Sequence, residues 1–189
     1  MDINEICEDV QCKITEALKK ESCVMVGIDG RCGSGKTTLA QALAKIYNIK
    51  VISLDDFFIP RNSTENHPED INVEHNRFIS EVLVPLFSKQ DVIYQVFDCQ
   101  TQCYSGKIVL PQQEVYIVEG SYAHHPLMGE CYDLKIVMDI PANIQKQRIK
   151  KRNGIEAWEI FKEKWIPMEE LYLKKYGIIQ RADVCYQLD

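Results

Sequence analysis

The chain has 189 residues, and a usual domain size of roughly 100–200 residues predicts a single domain over residues 1–189. Its composition, 46% hydrophobic and 26% charged, is typical of a globular protein with a buried core and argues against a disordered chain. With 22 Lys and Arg against 28 Asp and Glu, the net charge of −6 argues against nucleic-acid binding, because such binding needs a basic face.

The eight cysteines favour reduced thiols over a disulfide framework. Residues 1–5 are polar and acidic rather than the apolar start of a secretory signal, and no Cys-x-x-Cys pair indicates a zinc ribbon. No apolar run reaches the roughly 18–20 residues of a membrane helix. We therefore expect a cytoplasmic protein without a membrane partner. The sequence leaves the oligomeric state open, a homo-oligomer included.

The first part of the chain predicts a helix, a strand, a glycine-rich turn and a second helix. Apolar residues recur at spacings of three and four over residues 3–20, which predicts the first helix. Residues 23–28 form a short apolar run, as in a buried parallel strand. The turn follows, and residues 36–47 predict the second helix.

The middle of the chain predicts a strand over 50–54, a surface loop over 59–72 and a helix over 73–88. Two β-like runs then flank a turn, which predicts a hairpin over approximately 92–110.

Strands over 115–118, 134–138 and 184–188 enclose helical segments over 142–152 and 155–176. Because strands alternate with helices, the sequence predicts an α/β fold with a mainly parallel central sheet.

The turn after the first strand carries a phosphate-binding motif. Residues 30–37 read GRCGSGKT and match G-x-x-x-x-G-K-[ST] between a strand and a helix, as the motif requires. Its glycines let backbone N–H groups converge on phosphate, and the helix adds its positive end. Lys36 would reach the terminal phosphates and the Thr37 hydroxyl would ligate Mg²⁺. We therefore predict that ATP with Mg²⁺ is bound by Gly30, Arg31, Cys32, Gly33, Ser34, Gly35, Lys36, Thr37 and Thr38.

Carboxylates follow three of the predicted strands, at the sheet edge where α/β proteins bind ligands. We predict Asp55 as the base that takes the proton of an acceptor hydroxyl, and Glu119 as a partner of Mg²⁺. If water attacked instead, Asp55 would be a metal ligand. Helix capping is the favoured role of Asp139, and Asp56 is a weaker candidate than Asp55 because adjacent side chains diverge.

A basic segment follows the fourth core strand. Arg148 and Arg152 lie at i and i+4 on one predicted helix face, where they can stabilise charge on the transferred phosphate. A solvated helix face is the alternative for this segment. Arg31, inside the motif, is a third candidate.

From Val24 onward the chain resembles the uridine kinase branch of P-loop kinases, a group with phosphoribulokinase-like and pantothenate-kinase-like enzymes. Residues 27–38 are similar to the family's phosphate loop. Residues 51–58 are similar to its strand-plus-acid segment, and the catalytic aspartate falls on Asp55. Residues 115–120 are similar to the strand that ends in its metal-associated glutamate, here Glu119.

The resemblance implies a P-loop three-layer sandwich that phosphorylates an alcohol with ATP. It also implies a helical lid over approximately 148–165 and an acceptor-site role for the hairpin over approximately 92–110.

The acceptor region departs from the family. The family's pocket has Tyr-Asp-Phe and then His, whereas this chain has Phe97, Asp98, Cys99 and Gln102. The family's ribose-binding aspartate has no unique match, and Glu69, Asp70 and Glu74 are its candidates. The segment after Glu119 is a second place for specificity. The candidate acceptor residues are Phe58, Phe97, Asp98, Gln102, Tyr122 and His124.

Three functions stay open at this point. The first is a uridine kinase-like phosphotransferase with a nucleoside acceptor. The second is a kinase for another alcohol, such as a sugar, a glycerate or a vitamin precursor. The third is a nucleotide-binding regulator or ATPase without a small acceptor. The sequence lacks the Asn-Lys-x-Asp element of common GTPases.

Overall fold

The computed structural model describes residues 1–60, 71–99 and 101–188. The predicted loop over 59–72 therefore lies mostly outside the described residues, as do the ribose candidates Glu69 and Asp70. Within the described ranges the predicted succession of helices and strands is confirmed.

The strands that the structure describes are β1 (Val24–Gly30), β2 (Ile52–Ser53), β3 (Val92–Asp98), β4 (Cys103–Leu110), β5 (Val115–Glu119), β6 (Leu134–Asp139) and β7 (Val184–Gln187). Five of them form a sheet in the order β2-β5-β1-β6-β7, and each neighbouring pair is parallel. The central strand β1 is buried along its whole length, which explains its continuous apolar sequence. This confirms the predicted α/β fold with a mainly parallel sheet.

Strand β2 is shorter than the sequence predicts. Only Ile52 and Ser53 pair with β5, opposite Val118 and Glu119. The chain then turns into a 3₁₀ helix, Leu54–Phe57. The Leu54 and Phe57 side chains are fully buried. The turn thereby anchors the segment that carries the predicted base.

The helices that the structure describes are α1 (Ile3–Leu18), α2 (Lys36–Tyr47), α3 (His75–Phe78), α4 (Val84–Phe87), α5 (Ala142–Asn153), α6 (Ile155–Ile160), α7 (Ile166–Lys175) and α8 (Ile178–Arg181). A π turn, Ile79–Leu83, joins α3 to α4, and a second, Phe161–Trp165, joins α6 to α7. The predicted helices over 73–88 and 155–176 are therefore each one helical run with a wider turn inside.

The sheet lies between two apolar layers, as expected for a three-layer sandwich. On one face, α1 and α2 pack on alternate residues of β1 such as Val24 and Val26. On the other, Met25 packs with apolar residues of the α3–α4 run and of α7. Strand β1 therefore contributes to both layers, because successive side chains point to opposite faces.

Strands β3 and β4 form the predicted hairpin outside the main sheet. Arg77 of α3 ties this hairpin to the body of the protein. Its guanidinium donates to the Gln95 carbonyl at 2.8 Å and to the Asp56 carbonyl at 2.6 Å. It also lies over the Phe57 ring, 4.4 Å from the centroid. Arg77 thus helps to hold the hairpin and the 3₁₀ turn against each other.

The structure has all eight cysteines as free thiols. Within residues 1–60, 71–99 and 101–188, no helix is both long enough and apolar enough to cross a membrane.

Candidate functional site

The carboxyl ends of β1, β2 and β5 face an open cleft of about 1350 Å³. Ligands of open α/β sheets bind at this edge. The motif residues that line the cleft are Cys32, Gly33, Gly35, Lys36, Thr37 and Thr38. Three other predicted loop residues lie outside the lining: Gly30, Arg31 and Ser34.

Two glycines make the loop sterically feasible. Gly30 ends β1 at φ 127°, and a Cβ there would lie 2.0 Å from the Met138 carbonyl oxygen. Gly35 precedes α2 at φ 105°, and a Cβ there would lie 2.4 Å from Cδ1 of Leu188. Any other residue type would be strained in its backbone at both positions, and at Gly30 it would also clash with the Met138 backbone.

The ammonium group of Lys36 is buried at the end of β1. It donates to the Gly30 carbonyl at 2.6 Å and to the Arg31 carbonyl at 3.2 Å. It also lies 3.4 Å from Oγ of Ser121, which follows β5. The loop thus concentrates a positive charge where strands β1 and β5 end side by side.

Glu119, the last residue of β5, is held by two hydroxyl groups. Thr37 donates to its Oε2 at 3.2 Å and Ser53 donates to its Oε1 at 3.1 Å. Burial raises the pKa of Glu119, and the negative charge of Asp55 raises it further, whereas Lys36 lowers it. Such a carboxylate favours a nearby cation.

Asp55 lies in the 3₁₀ turn and lines the cleft. The surrounding protein desolvates its carboxylate and raises its pKa, which Lys36 and Arg152 partly oppose. Asp56 has a different environment, because Tyr94 donates to its carboxylate at 3.3 Å and it does not line the cleft.

These residues suit a magnesium ion that is shared with a nucleotide. The described residues contain no group of three or more His, Cys, Asp or Glu side chains that could hold a metal ion. Mg²⁺ commonly takes one or two protein ligands and completes its octahedron with phosphate oxygens and water. Thr37, Glu119 and Asp55 are the side chains that would supply oxygen here, the first two already in contact with each other.

Two arginines of α5 contact the phosphate loop. Arg148 donates to the Gly33 carbonyl at 3.2 Å, and the Arg152 guanidinium lies 3.3 Å from the Cys32 sulfur. Both line the cleft, on the side of the phosphate loop. Further along, residues of α6 and the second π turn complete this wall: Ala157, Ile160, Phe161, Lys164 and Trp165.

Arg31 has a different environment from the other candidate arginines. Its guanidinium donates to the Glu170 carboxylate at 2.9 Å and also pairs with Asp139. These contacts raise the pKa of Arg31, with the hydrogen bond to Glu170 as the largest cause. Asp139 also accepts from the backbone N–H of Ile140 at 2.8 Å, but the N-cap of α5 is Pro141 and no side chain caps that helix, so the predicted helix-capping role of Asp139 is wrong.

The structure separates the predicted acceptor residues into two groups. Three of them line the cleft: Phe58, Gln102 and Tyr122. Phe97 is instead buried in the hairpin, 5.7 Å from the Tyr104 ring, and Asp98 accepts from the Thr101 hydroxyl at 3.0 Å in the hairpin turn.

His124 packs against strand β1. Its ring Nε2 lies 3.0 Å from the Gly27 carbonyl, and its backbone N–H donates to Asp29 at 2.9 Å. Burial lowers the pKa of the imidazole. The ring therefore serves packing around β1 and lies outside the cleft lining.

Glu74, the described ribose candidate, is held by neighbouring side chains. Its Oε2 accepts from Arg77 at 2.6 Å and lies 3.3 Å from the Tyr104 hydroxyl. This carboxylate therefore contributes to the attachment of the hairpin.

Sequence reasoning missed the acid that touches the phosphate loop, Glu169 of α7. It is 4% exposed, and both carboxylate oxygens accept from the Cys32 N–H, at 2.8 and 2.9 Å. Its Oε1 also accepts from Ser121 at 3.1 Å. The available signal was its spacing, because Glu169, Tyr172 and Leu173 form the buried stripe of α7.

Gln145 of α5 was missed as well. Its side-chain amide donates to the Cys32 carbonyl at 3.1 Å and lies 3.4 Å from Glu169. Helices α5 and α7 therefore hold the backbone carbonyl and the backbone N–H of the same loop residue, Cys32.

No family model matches the chain. Uridine-cytidine kinase D of Dictyostelium discoideum is 28% identical over 131 residues, which are 67% of this chain and 26% of that protein. The chain thus spans about a quarter of the length of that relative. Cytidylate kinase of Pyrococcus abyssi is 26% identical over 161 residues, which are 84% of this chain and 78% of the relative.

Among solved structures, a possible uridine kinase from Bacillus stearothermophilus has the same fold, with a TM-score of 0.69 and 21% identity. The match covers 97% of this chain and 98% of that one. The chain is therefore similar in sequence to uridine-cytidine and cytidylate kinases, and it shares the fold of a possible uridine kinase.

Proposed function

We propose that the protein is a small-molecule kinase that transfers the γ-phosphate of ATP to a hydroxyl group, with a nucleoside as the acceptor class. One observation carries the proposal. The ammonium of Lys36, the hydroxyl of Thr37 and the carboxylates of Asp55 and Glu119 all line a single cleft at the carboxyl edge of the sheet. A phosphate-binding cation, a metal-binding pair and a base are the parts that phosphoryl transfer requires.

The phosphate loop binds and orients the nucleotide. Its backbone N–H groups and the start of α2 face the phosphates, and Lys36 lies within reach of the terminal ones. A magnesium ion held by Thr37 and Glu119 would neutralise phosphate charge when the nucleotide is bound. The similarity to a uridine-cytidine kinase and the Thr37–Glu119 contact support this cofactor pair, ATP with Mg²⁺.

Asp55 acts on the acceptor. As the acceptor oxygen bonds to the γ-phosphorus, the bond from that phosphorus to the β–γ bridging oxygen breaks and ADP leaves. The hydroxyl proton passes to the Asp55 carboxylate, which releases it to solvent after product departure. The raised pKa of Asp55 makes this carboxylate a stronger proton acceptor than an aspartate in water.

Arg148 and Arg152 cover the transferred phosphate. Both line the cleft, and α6 with the second π turn continues from them as a wall that contains Phe161 and Trp165. In this proposal the segment over residues 148–165 is the lid. Its closure excludes water, so that the acceptor rather than water receives the phosphate.

The acceptor binds between this wall and the hairpin. Phe58, Tyr122 and Gln102 line the cleft, and the Gln102 amide donates to the Cys99 carbonyl at 2.7 Å. Aromatic faces and one hydrogen-bonding side chain suit a nucleoside base. The cytidylate and uridine-cytidine kinase relatives also support a pyrimidine acceptor.

A second candidate is a kinase for a non-nucleoside alcohol. The observation that favours it is the placement of Phe97 and Asp98. Both belong to the internal packing and turn of the hairpin, so that two positions of the family's nucleoside pocket are used for structure.

The eight free thiols support a cytoplasmic location for either kinase.

The test is ADP production from MgATP across a panel of nucleosides, nucleoside monophosphates, sugars, glycerate and pantothenate. The Lys36→Ala variant is the blank. A response to uridine or cytidine supports the nucleoside kinase, and a response to another alcohol alone supports the second candidate. ADP release without any acceptor, or none with every compound, contradicts both and favours the ATPase or regulator hypothesis.

A further inference from the structure

Three contacts fasten α7 to strand β1 and the phosphate loop. Glu169 accepts from the Cys32 N–H, Glu170 pairs with Arg31, and Tyr172 donates to the buried carboxylate of Asp29 at 2.6 Å. The contacts to Arg31 and Asp29 join side chains and serve attachment. The contact of Glu169 differs, because it occupies a backbone N–H of the loop itself and lines the cleft.

The position of Glu169 is at the terminal-phosphate end of the loop. Ser121 lies between Glu169 and the ammonium of Lys36, at 3.1 Å from the first and 3.4 Å from the second. Lys36 is the residue that reaches the β- and γ-phosphates in this motif. The carboxylate of Glu169 therefore lies beside the place where the γ-phosphate binds.

A buried carboxylate in this position opposes a phosphate directly. Both are anions, both use the donors of the same loop, and a low-dielectric site strengthens their repulsion. Burial already raises the pKa of Glu169, and the Lys36 charge is the largest influence in the other direction. Lys36, across the Ser121 hydroxyl from Glu169, is the cation placed to balance this carboxylate.

Glu169 also belongs to the same helical run as the lid wall. Residues from α6 through the second π turn to α7 follow one another without a break, and Trp165 lies four residues before Glu169. A shift of Glu169 away from the loop would therefore also displace Trp165, which lines the cleft.

We infer that Glu169 is a positioning residue that senses the γ-phosphate: the phosphate displaces its carboxylate from the Cys32 N–H, and α7 passes the movement to the lid. The inference rests on the proposed function. According to this inference, the Glu169 side chain lowers the affinity of the protein for ATP. It also couples the phosphate loop to residues 155–165.

Glu169→Gln tests the inference, because glutamine keeps the shape and an acceptor oxygen but removes the charge. We expect its MgATP dissociation constant to fall by about tenfold, as removal of one nearby like charge would give. The MgADP constant should fall less, since ADP has no γ-phosphate. The matched control is Glu163→Gln, which is exposed on the same helical run and outside the cleft lining, and both constants should change less than about twofold there, as for a surface substitution.

A second measurement uses the unaltered protein and does not depend on the folding of a variant. Both tryptophans of the chain, Trp158 and Trp165, lie in the lid segment, so intrinsic fluorescence reports on it. MgATP should change the emission more than MgADP does. Equal responses would overturn the inference, as would a Glu169→Gln variant that binds MgATP no more tightly. Failure of the unaltered protein to bind MgATP would instead overturn the proposed function, and the inference with it.

Discussion

The hydroxyl of Thr37 lies 3.2 Å from Oε2 of Glu119, so the first turn of α2 touches the last residue of β5. This contact joins the phosphate loop to the neighbouring strand, and it brings together the oxygen atoms expected around Mg²⁺. Ser53 of β2 holds the other carboxylate oxygen at 3.1 Å. Strands β2 and β5 and the first turn of α2 therefore define the position of one carboxylate.

The first prediction concerns that carboxylate. Glu119→Gln should raise the Mg²⁺ concentration needed for half-maximal activity by about tenfold or more, because a neutral amide is a poorer ligand or outer-sphere partner for the ion. A Mg²⁺ titration at fixed ATP measures this. Ser53→Ala, which removes only the supporting hydrogen bond, should have a smaller effect. An unchanged Mg²⁺ requirement in Glu119→Gln would remove this residue from the metal site.

The second prediction concerns Lys36. Lys36→Ala should lower turnover by at least roughly 10²-fold, the usual loss when a preorganised donor is removed from a transition state, and it should weaken nucleotide binding. Steady-state kinetics and nucleotide titration measure the two effects. Lys45→Ala is the matched control, since Lys45 is exposed in the last turn of the same helix. Full activity of Lys36→Ala would contradict the phosphate-loop assignment.

The third prediction concerns Asp55. Asp55→Asn should lower kcat by at least roughly 10²-fold, the lower end of general-base effects, while the dissociation constant of ATP stays nearly unchanged. The control is the Asp56→Asn variant, because Asp56 is adjacent in sequence but lies outside the cleft lining. The kcat of this variant should fall much less. Equal losses in the two variants would indicate that the turn, rather than the Asp55 carboxylate, is what catalysis needs.

The fourth prediction concerns pH. Asp55 must be ionised to accept a proton, and burial raises its pKa. Activity should therefore fall as the pH decreases through a value above the ordinary aspartate pKa of about 3.9. Arg152 lowers the pKa of Asp55, so Arg152→Met should move this acid limb to still higher pH. Profiles of kcat/KM against pH for the unaltered protein and for Arg152→Met measure the acid limb in each. An acid limb that moves to lower pH in Arg152→Met would contradict the role of Asp55 as the base.

The fifth prediction concerns stability. The Tyr172 hydroxyl donates to the buried Asp29 carboxylate at 2.6 Å. Tyr172→Phe should lower the free energy of unfolding by about 1–3 kcal/mol, because a buried charged acceptor loses one donor. Urea denaturation measures the change. Tyr104→Phe, whose ring is half exposed, should cost less than about 0.5 kcal/mol. Equal stability of Tyr172→Phe and the unaltered protein would show that this hydrogen bond is dispensable.

Much of the fold could be predicted from the sequence because its signals are local. The apolar run of β1, the glycine-rich turn and the helix from Lys36 are each set by neighbouring residues, and their order implies a parallel sheet with a ligand edge. The two π turns and the short β2 could not be predicted in this way. Burial of Leu54 and Phe57 against the sheet decides where β2 ends, and that burial depends on distant partners.

The sequence by itself determined the phosphate loop and the strand-end acids Asp55 and Glu119, because motif spacing and strand ends fix which residues reach one edge of a sheet. Only the tertiary structure decided which other side chains share that edge. It packed the His124 ring against the Gly27 carbonyl of β1. It also brought the Glu169 carboxylate into a hydrogen bond with the Cys32 N–H, 137 residues away along the chain. Such contacts arise from the packing of helices on the sheet: helical spacing can mark Glu169 as a buried position, but it does not say which distant group the carboxylate will contact.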